Sequence, residues 1–388
     1  MSGKVQIVGL DEVIAKRNGS VDPAKFPEEV FELLSIPAFD SGKPEITVGA
    51  EIGSTKQVVQ DGDVLLSKIV PHIRRAWVVK PITNHRLIAS GEWIVFRDSR
   101  FDPGYLRHLL TADGFHRQFM QTVSGIGGSL LRARPAEVAK IKVPLPPKKE
   151  QQRIAAILDK ADRLRRKRLE AIRLADEFLR VTFIDLFGDP VSNDKGLPVR
   201  LLGDVCRFYA GNSLPAGEPF AGQPGGFLHI KVGDMNLPGN EADILFAREW
   251  SSSGAGGIIA PEGAILIPKR GGAIATNKKR VLLRPCALDP NLMAIGPGDE
   301  LRQEVLLEWF KQFDLTSISS GSAVPQLNKG DLAPLKITVP PLAIQERFVQ
   351  VARKVKSMLA RQGEQLTLIQ SASAALTSTL LHAGPVND

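Results

Sequence analysis

The stretch that decides the fold occupies residues 148–186 and reads KKEQQRIAAILDKADRLRRKRLEAIRLADEFLRVTFIDL. It contains no proline or glycine, although the chain has 27 of the first and 35 of the second. Its apolar side chains recur in steps of three and four, the period of an α-helix; they are Ile154, Leu158, Ala161, Ile172, Ala175, Leu179 and Leu186. A helix of about 40 residues would span roughly 60 Å, which exceeds the length of an ordinary globular helix.

The segment that leads into this helix occurs twice. KVPLPPKKEQQRI, from Lys142, aligns without a gap with KITVPPLAIQERF, from Lys336, and the alignment pairs Gln151 with Gln345. Three upstream segments repeat in the same order, at offsets between 192 and 201: GLDEV (9–13) with LLGDV (201–205), SIPAFD (35–40) with KVGDMN (231–236), and DGDVLLSK (61–68) with EGAILIPK (262–269). The chain is therefore predicted to be a tandem duplication of a globular module followed by a long helix.

A second long helix is predicted after Pro341. Shifting the first helix by 194 residues gives apolar positions at Phe348, Ala352, Val355, Leu359, Leu366, Ile369, Leu376 and Leu380. Two helices of equal length with matching apolar stripes are expected to pack as a coiled coil. We expect the pair to be antiparallel, with one module at each end, because a pseudo-twofold relation between the repeats then satisfies both interfaces.

The predicted fold class is α+β, with two globular α/β modules separated by the two helices. Short apolar runs rich in Val and Ile, such as DVLLSKIV and EWIVF, indicate strands, and one helix is expected from 104 to about 123. The predicted boundaries are 1–147 for the first module, 148–190 for the central helix, 191–341 for the second module and 342–388 for the distal helix.

Composition limits the class of protein. The 388 residues carry a formal charge of +8, which permits a polyanionic partner but does not establish one. No apolar run is long enough to cross a bilayer and the N-terminus lacks a secretory signal, so a cytoplasmic protein without a membrane partner is expected. Cys206 and Cys286 lie eighty residues apart without a CxxC partner, so buried free thiols are expected.

The sequence resembles the DNA-specificity subunits of type I restriction-modification systems. The resemblance covers nearly the whole chain and is carried by PLPPKKEQQRIAAIL at 144–158, by its copy VPPLAIQERF at 339–348 and by GDVLLSKI at 62–69. KVGDM at 231–235 and the Gly/Ser loops at 124–129 and 319–322 add to it. The second copy departs from the pattern at Ile344, where the first has Glu150.

That resemblance implies a DNA-reading function without catalysis. Each module would be a target-recognition domain for one half of a split double-stranded DNA sequence, and the helices would set the distance between the halves. It further implies two methyltransferase subunits per chain as partners, joined by restriction subunits in the full complex. Because the two modules differ outside the repeated segments, the predicted DNA target is bipartite and asymmetric.

Enzyme motifs are absent from the sequence. There is no GxxxxGK[ST] phosphate loop, no GxGxxG after a strand, and no HExxH or other ligand spacing among the six histidines, so no cofactor or metal is predicted. Scattered carboxylates and a lysine could still form a nuclease site. Two alternatives therefore remain: a coiled-coil adaptor whose modules bind proteins, and an enzyme with an unrecognised site.

The candidate DNA contacts are basic and amide side chains that follow the LLSK and LIPK strands. Arg and Lys can bond guanine and Asn can bond adenine, although the same side chains also neutralise phosphates or remain solvated. The first module offers Lys68, His72, Arg74 and Arg75, and the second offers Lys269, Arg270, Asn277, Lys278, Lys279 and Arg280.

A basic run on the central helix, RLRRKR at 163–168, has three interpretations. Its members Arg163, Arg165, Arg166 and Arg168 could approach the DNA backbone between the half-sites or pair with acidic residues of a bound subunit. They could also lie along the helix pair with their aliphatic stems packed. The sequence does not separate a partner surface from a DNA-spacer surface.

Overall fold

The structure is a computed structural model of the 388-residue chain. It describes residues 5–16, 18–125, 131–190, 192–213, 226–251, 258–319 and 324–381. Most of the two Gly/Ser loops, at 126–129 and 320–322, therefore lies outside the described residues. Two compact units form: unit 1 comprises Met1–Leu169 with Gly363–Asp388, and unit 2 comprises Glu170–Gln362.

The first module is built from short strands and four helices. A five-stranded sheet has the order β2-β5-β8-β3-β4, in which β3 and β8 are parallel, and a three-stranded sheet has the order β7-β6-β9. The strands are β1 Gln6–Gly9, β2 Ser20–Val21, β3 Val30–Leu34, β4 Glu45–Val48, β5 Lys56–Val58, β6 Val64–Ser67, β7 Ala76–Val78, β8 Arg86–Ala89, β9 Trp93–Phe96, β10 Val123–Ser124, β11 Arg132–Ala133 and β12 Lys142–Leu145. The helices are α1 Ile36–Ser41, α2 Pro103–Thr111, α3 Asp113–Gln121 and α4 Pro135–Val138.

The single helix expected from 104 to about 123 is wrong in one respect. Ala112 has extended backbone angles (φ −68°, ψ 150°), so the segment forms the two helices α2 and α3. Leu109, Phe115 and Phe119 are buried from both sides of this break. Both helices therefore pack their apolar faces into the same core.

The second module also has two sheets, but their sizes are exchanged: β18, the equivalent of β6, lies in the five-stranded sheet, whereas β6 lies in the three-stranded one. A five-stranded sheet has the order β14-β21-β18-β19-β16, and a three-stranded sheet has the order β17-β15-β20 with β15 and β20 parallel. The strands are β13 Val199–Leu201, β14 Cys206–Ala210, β15 Phe227–Ile230, β16 Asp243–Ile244, β17 Glu249–Ser251, β18 Ile265–Pro268, β19 Arg280–Leu282, β20 Cys286–Leu288, β21 Leu292–Pro297 and β22 Lys336–Thr338. Its helices are α6 Leu202–Val205, α7 Gln303–Gln312 and α8 Lys329–Leu332. Cys206 and Cys286 are buried and free, as predicted.

Each module closes on itself beside its long helix. In the first, β1 pairs antiparallel with β12, with Gly9 opposite Lys142. In the second, β13 pairs antiparallel with β22, with Leu201 opposite Lys336. The first and last strands of each repeat thus pair through residues that are equivalent in the sequence alignment.

Two helices of 40 residues follow the modules. α5 spans Lys148–Phe187 and α9 spans Leu342–Leu381, so α5 ends three residues before the predicted boundary at 190. Gly188, with φ +76°, follows α5, and Pro190 comes two residues later. A glycine in the left-handed region followed by proline is a common helix stop.

Within each unit, the start of one long helix lies beside the end of the other. In unit 1, Ile154 and Leu158 of α5 are buried in the module core, and Leu376 of α9 packs against the same cluster. In unit 2, Phe348 of α9 lies 5.7 Å from Phe183 and 5.5 Å from Phe187 of α5, measured between ring centroids. Each pairing is antiparallel, as predicted.

A buried glutamine fixes the start of each long helix. Gln151 accepts a hydrogen bond from the backbone N–H of Asp102 (2.7 Å) and donates to the carbonyl oxygens of Arg100 (3.0 Å) and Pro146 (2.8 Å). Its side chain thereby satisfies three backbone groups next to α2 and α5.

Gln345 makes the same three bonds in the second repeat. It accepts from the N–H of Arg302 (2.8 Å) and donates to the carbonyl oxygens of Glu300 (2.9 Å) and Pro340 (2.7 Å). Both glutamines are almost fully buried. The pairing of Gln151 with Gln345 in the sequence is therefore an equivalence of contacts as well.

Candidate nucleic-acid interface

In the first module, the loop after β6 is joined to the chain that follows the Gly/Ser loop. The N–H of Val70 donates to the carbonyl of Leu131 (3.1 Å), and the N–H of Ala133 donates to the carbonyl of Lys68 (2.8 Å). An antiparallel bridge pairs Ile69 with Arg132. The candidate DNA loop after β6 and the segment that follows the Gly/Ser loop therefore lie side by side.

The second module makes the same junction. The N–H of Gly271 donates to the carbonyl of Pro325 (2.8 Å), and the N–H of Leu327 donates to the carbonyl of Lys269 (2.8 Å). The corresponding bridge pairs Arg270 with Gln326. Lys68 is thus equivalent to Lys269, and Arg132 to Gln326.

Val70 and Gly271 also share an unusual backbone conformation. Their φ angles are +45° and +66°, both in the left-handed region. A glycine adopts this region without strain, whereas a β-branched valine does so only at an energetic cost. The first module carries strained backbone at its candidate DNA loop.

The predicted residues of the first module differ in accessibility. Lys68 is half-buried and His72 is exposed. Arg74 is exposed and forms an ion pair with Asp113, with 2.5 Å between Nη1 and Oδ1. Arg75 is buried, and its Nε and Nη2 donate to the two carboxylate oxygens of Asp40 at 2.8 and 2.9 Å. These bonds lower the pKa of Asp40 below its ordinary value, and in this conformation Arg75 stabilises the loop from inside.

The predicted residues of the second module also separate into exposed and internal groups. Arg270 is exposed, Lys269 is half-buried, and Lys278 donates to the side-chain oxygen of Asn236. Arg280 donates through Nε to the carbonyl of Asn240 (2.8 Å).

Lys279 is buried at the end of the same loop. Its Nζ donates to Oδ1 of Asn277 and to the carbonyl of Phe313, both at 2.7 Å. Burial lowers the pKa of Lys279 to about 8. Asn277 has φ +51° and also accepts from the N–H of Leu315 (3.0 Å), so these two side chains fix the loop to the segment after α7.

Sequence reasoning missed two arginines at the first junction. Arg132 is exposed, and its closest carboxylate oxygen, on Glu92, is 3.3 Å away. Arg134 is exposed and donates from Nε to the carbonyl of Thr122 at 3.4 Å. The Arg-x-Arg pattern that follows SGIGGS after two leucines could have indicated them. Their position beside Lys68, however, depends on a contact between distant parts of the chain.

The basic run on α5 is largely solvent-facing. Arg163, Arg165 and Arg166 are exposed and Arg168 is half-buried. Arg165 lines a cleft of about 290 Å³ in unit 1. The cleft is otherwise lined by Arg74, His108, Thr111, Ala112, Asp113, Leu158, Ala161, Asp162, Ile369, Gln370, Ser373, Ala374 and Thr377.

A buried histidine joins the first module to α5. Nε2 of His108 lies 2.8 Å from Oδ1 of Asp159, and Nη2 of Arg107 contacts the same carboxylate oxygen at 2.8 Å. Burial, reinforced by the positive charge of Arg107, lowers the pKa of His108 below its ordinary value of 6.5. The imidazole is therefore held mainly neutral near pH 7.

A buried carboxylate occupies the equivalent position in the second module. Glu308 is 4% exposed, lies in α7 and contacts Lys311 at 3.3 Å. Burial raises the pKa of Glu308 above its ordinary value of 4.5, against the opposing effect of Lys311. The two helix junctions thus place different titratable groups at the same position.

An apolar stripe remains exposed on the part of α5 that belongs to unit 2. Leu174, Phe178 and Val181 are 49%, 54% and 52% exposed, and their spacing of four and three residues places them on one helix face. On α9, Leu368, the equivalent of Leu174, is 67% exposed. Exposed apolar side chains that line up on one helix face are typical of a protein-binding surface.

Within the described residues, no group of three or more His, Cys, Asp or Glu side chains could hold a metal ion. No helix in the described part of the chain is long and apolar enough to cross a membrane.

Comparison with known families identifies the repeat. The family model for the type I restriction modification DNA specificity domain matches the chain twice, over residues 4–174 and 195–364. The chain belongs to this family. Each specificity-domain match contains one module and continues into its long helix, which confirms the predicted tandem duplication.

Relatives of this specificity-domain chain support the same assignment. The specificity subunit of the type I restriction enzyme MjaIX from Methanocaldococcus jannaschii is 22% identical over 88% of this chain and 81% of its own length.

Solved structures share the fold. The S subunit of a type I restriction-modification system from M. genitalium has a TM-score of 0.62 at 13% identity, covering 99% of this chain and 97% of that chain. A chain from a study of complex assembly and conformational transition of the type I R-M system has a TM-score of 0.54 at 23% identity, covering 98% of each.

Proposed function

We propose that this chain is the non-catalytic DNA-reading subunit of a type I restriction-modification complex, and that its target is bipartite and asymmetric. The observation that carries the proposal is the double match to one specificity-domain family, over two modules with equivalent loop frames and different loop residues. Equivalent loop backbones in the two modules are consistent with the same DNA-reading role in each. Different loop side chains are consistent with two different half-sites. The modules 1–147 and 191–341 would each read one half-site.

The accessible basic side chains of the two loops would meet the DNA. In the first module these are exposed His72 and Arg74, and in the second exposed Arg270 and half-buried Lys278, with half-buried Lys68 and Lys269 at the strand ends. Cations on this surface would neutralise phosphates and orient each module on the duplex. Arg75 and Lys279 would act indirectly, because their hydrogen bonds hold the loops in place.

Two methyltransferase subunits would bind each chain, and restriction subunits would join that complex. The exposed apolar stripe of Leu174, Phe178 and Val181 supports a docking surface for a partner subunit on α5. Exposed Leu368 supports a related contact on α9. Replacing Phe178 with serine should weaken copurification of a tagged chain with the methyltransferase. Replacing exposed Arg180, which lies on a different face of α5, with serine is the control. Equal recovery with both variants would exclude the stripe as the docking surface.

The helices would act as spacers between the half-sites. Helices of this length would span roughly 60 Å, more than one turn of DNA at ~34 to 36 Å. Inserting four residues, about one helical turn, into both helices together should change the number of base pairs between the methylated half-sites. An unchanged spacing would exclude the spacer function.

The arginine run on α5 would contact either the DNA backbone or a partner subunit. The salt dependence of DNA affinity separates the two, because each lost phosphate contact reduces the slope of log K against log salt by ~0.9. The double variant Arg165→Ala/Arg168→Ala should lower the slope if these side chains contact phosphate. An unchanged slope would leave the partner contact.

The decisive experiment is methylome sequencing of the host with and without this chain. A split methylated motif should disappear when the chain is deleted and return when it is restored, which fits a cytoplasmic protein that acts on chromosomal DNA. If no such motif disappears, the proposed function is wrong. Methylation or cleavage by the purified chain alone would instead favour an enzyme, and an absence of salt-sensitive DNA binding would favour a protein adaptor.

A further inference from the structure

The loop junctions contain an equivalent position that is identical in the two modules and others that differ in chemistry. Lys68 and Lys269 occupy the same position, since the carbonyl of each accepts from the N–H of the residue directly after the bridge, Ala133 and Leu327 respectively. Arg132 and Gln326 are equivalent because each forms that bridge, with Ile69 and Arg270 respectively. The same frame therefore presents a lysine in both modules, but an arginine in one and a glutamine in the other.

This pattern separates two kinds of DNA contact. Phosphate contacts carry no sequence information, so a duplicated reader can keep them unchanged in both copies. Base contacts must differ wherever the half-sites differ. The identical pair, Lys68 and Lys269, is therefore suited to contacts with the DNA backbone. The differing pair, Arg132 and Gln326, is suited to contacts with bases.

The side chains at the divergent positions have the chemistry of base readers. The side chain of Arg132 is 53% exposed, and its guanidinium contacts the carboxylate of Glu92 at 3.3 and 3.4 Å. A guanidinium can donate two hydrogen bonds to O6 and N7 of guanine. Its exposure leaves the planar end of the side chain accessible to the edge of a base.

Gln326 is held more firmly. Its Nε2 donates to Oδ1 of Asn328 at 3.0 Å, and Asn328 in turn caps the start of α8. A carboxamide can pair with N6 and N7 of adenine. A restrained amide plane would favour one such pairing because less side-chain freedom is lost on binding.

Resting on the proposed function, we infer that Arg132 reads a guanine in one half-site and Gln326 reads an adenine at the corresponding position of the other, while Lys68 and Lys269 contact phosphates. The asymmetry of the target would then follow in part from a single exchange of arginine for glutamine. Neither Arg132 nor Gln326 would take part in methyl transfer.

The test exchanges the two side chains in the assembled methyltransferase complex. Arg132→Gln should change one half of the methylated motif only, with loss of a G·C requirement at one position. Gln326→Arg should change the other half only, with loss of an A·T requirement. Binding of each variant to the original motif should fall by about 5- to 150-fold, the range expected for one bidentate base contact.

Lysine variants provide the contrast. Lys68→Gln and Lys269→Gln should leave both halves of the motif unchanged, weaken binding to all sequences alike, and each lower the salt slope by ~0.9. Exposed Lys142 and Lys336 are also equivalent and lie on the closing strands β12 and β22. Their glutamine variants are the charge-matched controls and should change neither motif nor slope.

The outcomes separate this inference from the function on which it rests. A split motif that depends on the chain but is unaltered in both halves by Arg132→Gln and Gln326→Arg would overturn the base assignment alone. Uniform weakening with a lower salt slope in Arg132→Gln would overturn it too, by making Arg132 a phosphate contact. If the exchanged variants do not assemble, Arg132→Ala and Gln326→Ala decide, and each should relax the same single position.

Discussion

The junction where the long helices meet in unit 2 is aromatic and closed, whereas the equivalent junction in unit 1 is polar and open. In unit 2, the rings of Phe183, Phe187 and Phe348 lie 4.9 to 5.7 Å apart and are fully buried. In unit 1, the positions of Phe183 and Phe348 are taken by Thr377 and Ile154, and Thr377 lines a cleft of about 290 Å³.

This difference shows that the two repeats share their backbone hydrogen bonding but differ in the side chains that pack between the helices. Backbone groups near the start of each helix need partners in any sequence, and the two glutamines supply them identically. Apolar filling has no such fixed requirement, because different side chains can bury similar area. The glutamine hydrogen bonds are therefore the same in both repeats, whereas the side chains packed between the long helices differ.

The largest expected effect is the loss of an aromatic ring from the closed junction. Phe183→Ala should destabilise unit 2 by about 3 to 5 kcal/mol, since it removes a buried ring and leaves a cavity. Thr377→Ala, at the equivalent position of unit 1, should cost less than about 1 kcal/mol. Hydrogen exchange of the α9 segments in each unit, with increasing denaturant, would measure both. Equal costs would contradict the contrast between the junctions.

The glutamines should give smaller effects that are equal in the two repeats. Gln151→Ala and Gln345→Ala should each cost about 2 to 3 kcal/mol, because each strands backbone donors and acceptors that are out of contact with water. Exposed Gln152 neighbours Gln151, and Gln152→Ala is the control. Denaturant midpoints would compare them, and a large inequality between the two repeats would show that the clamps are not equivalent.

The titratable groups at the junctions should respond to pH in opposite directions. The pKa of His108 is lowered by burial, so the unfolded chain binds more protons, and stability is lost as pH falls below about 6.5. The pKa of Glu308 is raised by burial, so the folded chain binds more protons, and stability is lost as pH rises above about 4.5.

Glutamine variants would isolate these two contributions. In denaturant midpoints measured from pH 4.5 to 7.5, His108→Gln should remove the loss on the acid side, and Glu308→Gln should remove the loss on the alkaline side. Replacing exposed His85 with glutamine is the control. A pH profile unchanged by His108→Gln would mean that this histidine does not contribute to it.

The smallest effect should come from the left-handed residues of the candidate DNA loops. Val70→Gly should raise stability by up to about 1 kcal/mol through relief of strain, and Gly271→Val should lower it by about 1 to 2 kcal/mol. Differential scanning calorimetry of the two variants would show opposite shifts. Shifts of the same sign would indicate that the loop backbone rearranges on substitution.

The sequence predicted the features that depend on local order. The two Pro-Pro segments, the glutamines that follow them and the helical apolar period of α5 specify the frame, and the registers Gly9–Lys142 and Leu201–Lys336 agree with the alignment. The repeat could be recognised in the sequence because the residues that make these local hydrogen bonds recur in both copies.

Features set by distant contacts were not predictable in the same way. The local sequence of a loop does not show whether a basic side chain will contact a distant carboxylate or carbonyl in the folded chain. The burial of Arg75 against Asp40 and of Lys279 against Phe313 was therefore not expected. Arg132 was overlooked because its place beside Lys68 arises from a bridge across more than sixty residues. The break at Ala112 likewise depends on how α2 and α3 share one core.

The division of the chain between the two units has a consequence for synthesis. Unit 2 is one continuous segment, whereas unit 1 needs Gly363–Asp388 to complete it. At ribosomal rates, translating Glu170–Gln362 takes on the order of 10 to 40 s. During that time the start of α5 lacks its α9 neighbour. The helix surface that stays uncovered during this time is the polar one, with Asp162 and Arg165. The aromatic surface belongs to unit 2, which is translated as one continuous segment. The order of the two helix contacts along the chain thus limits how long apolar helix surface stays exposed in the nascent protein.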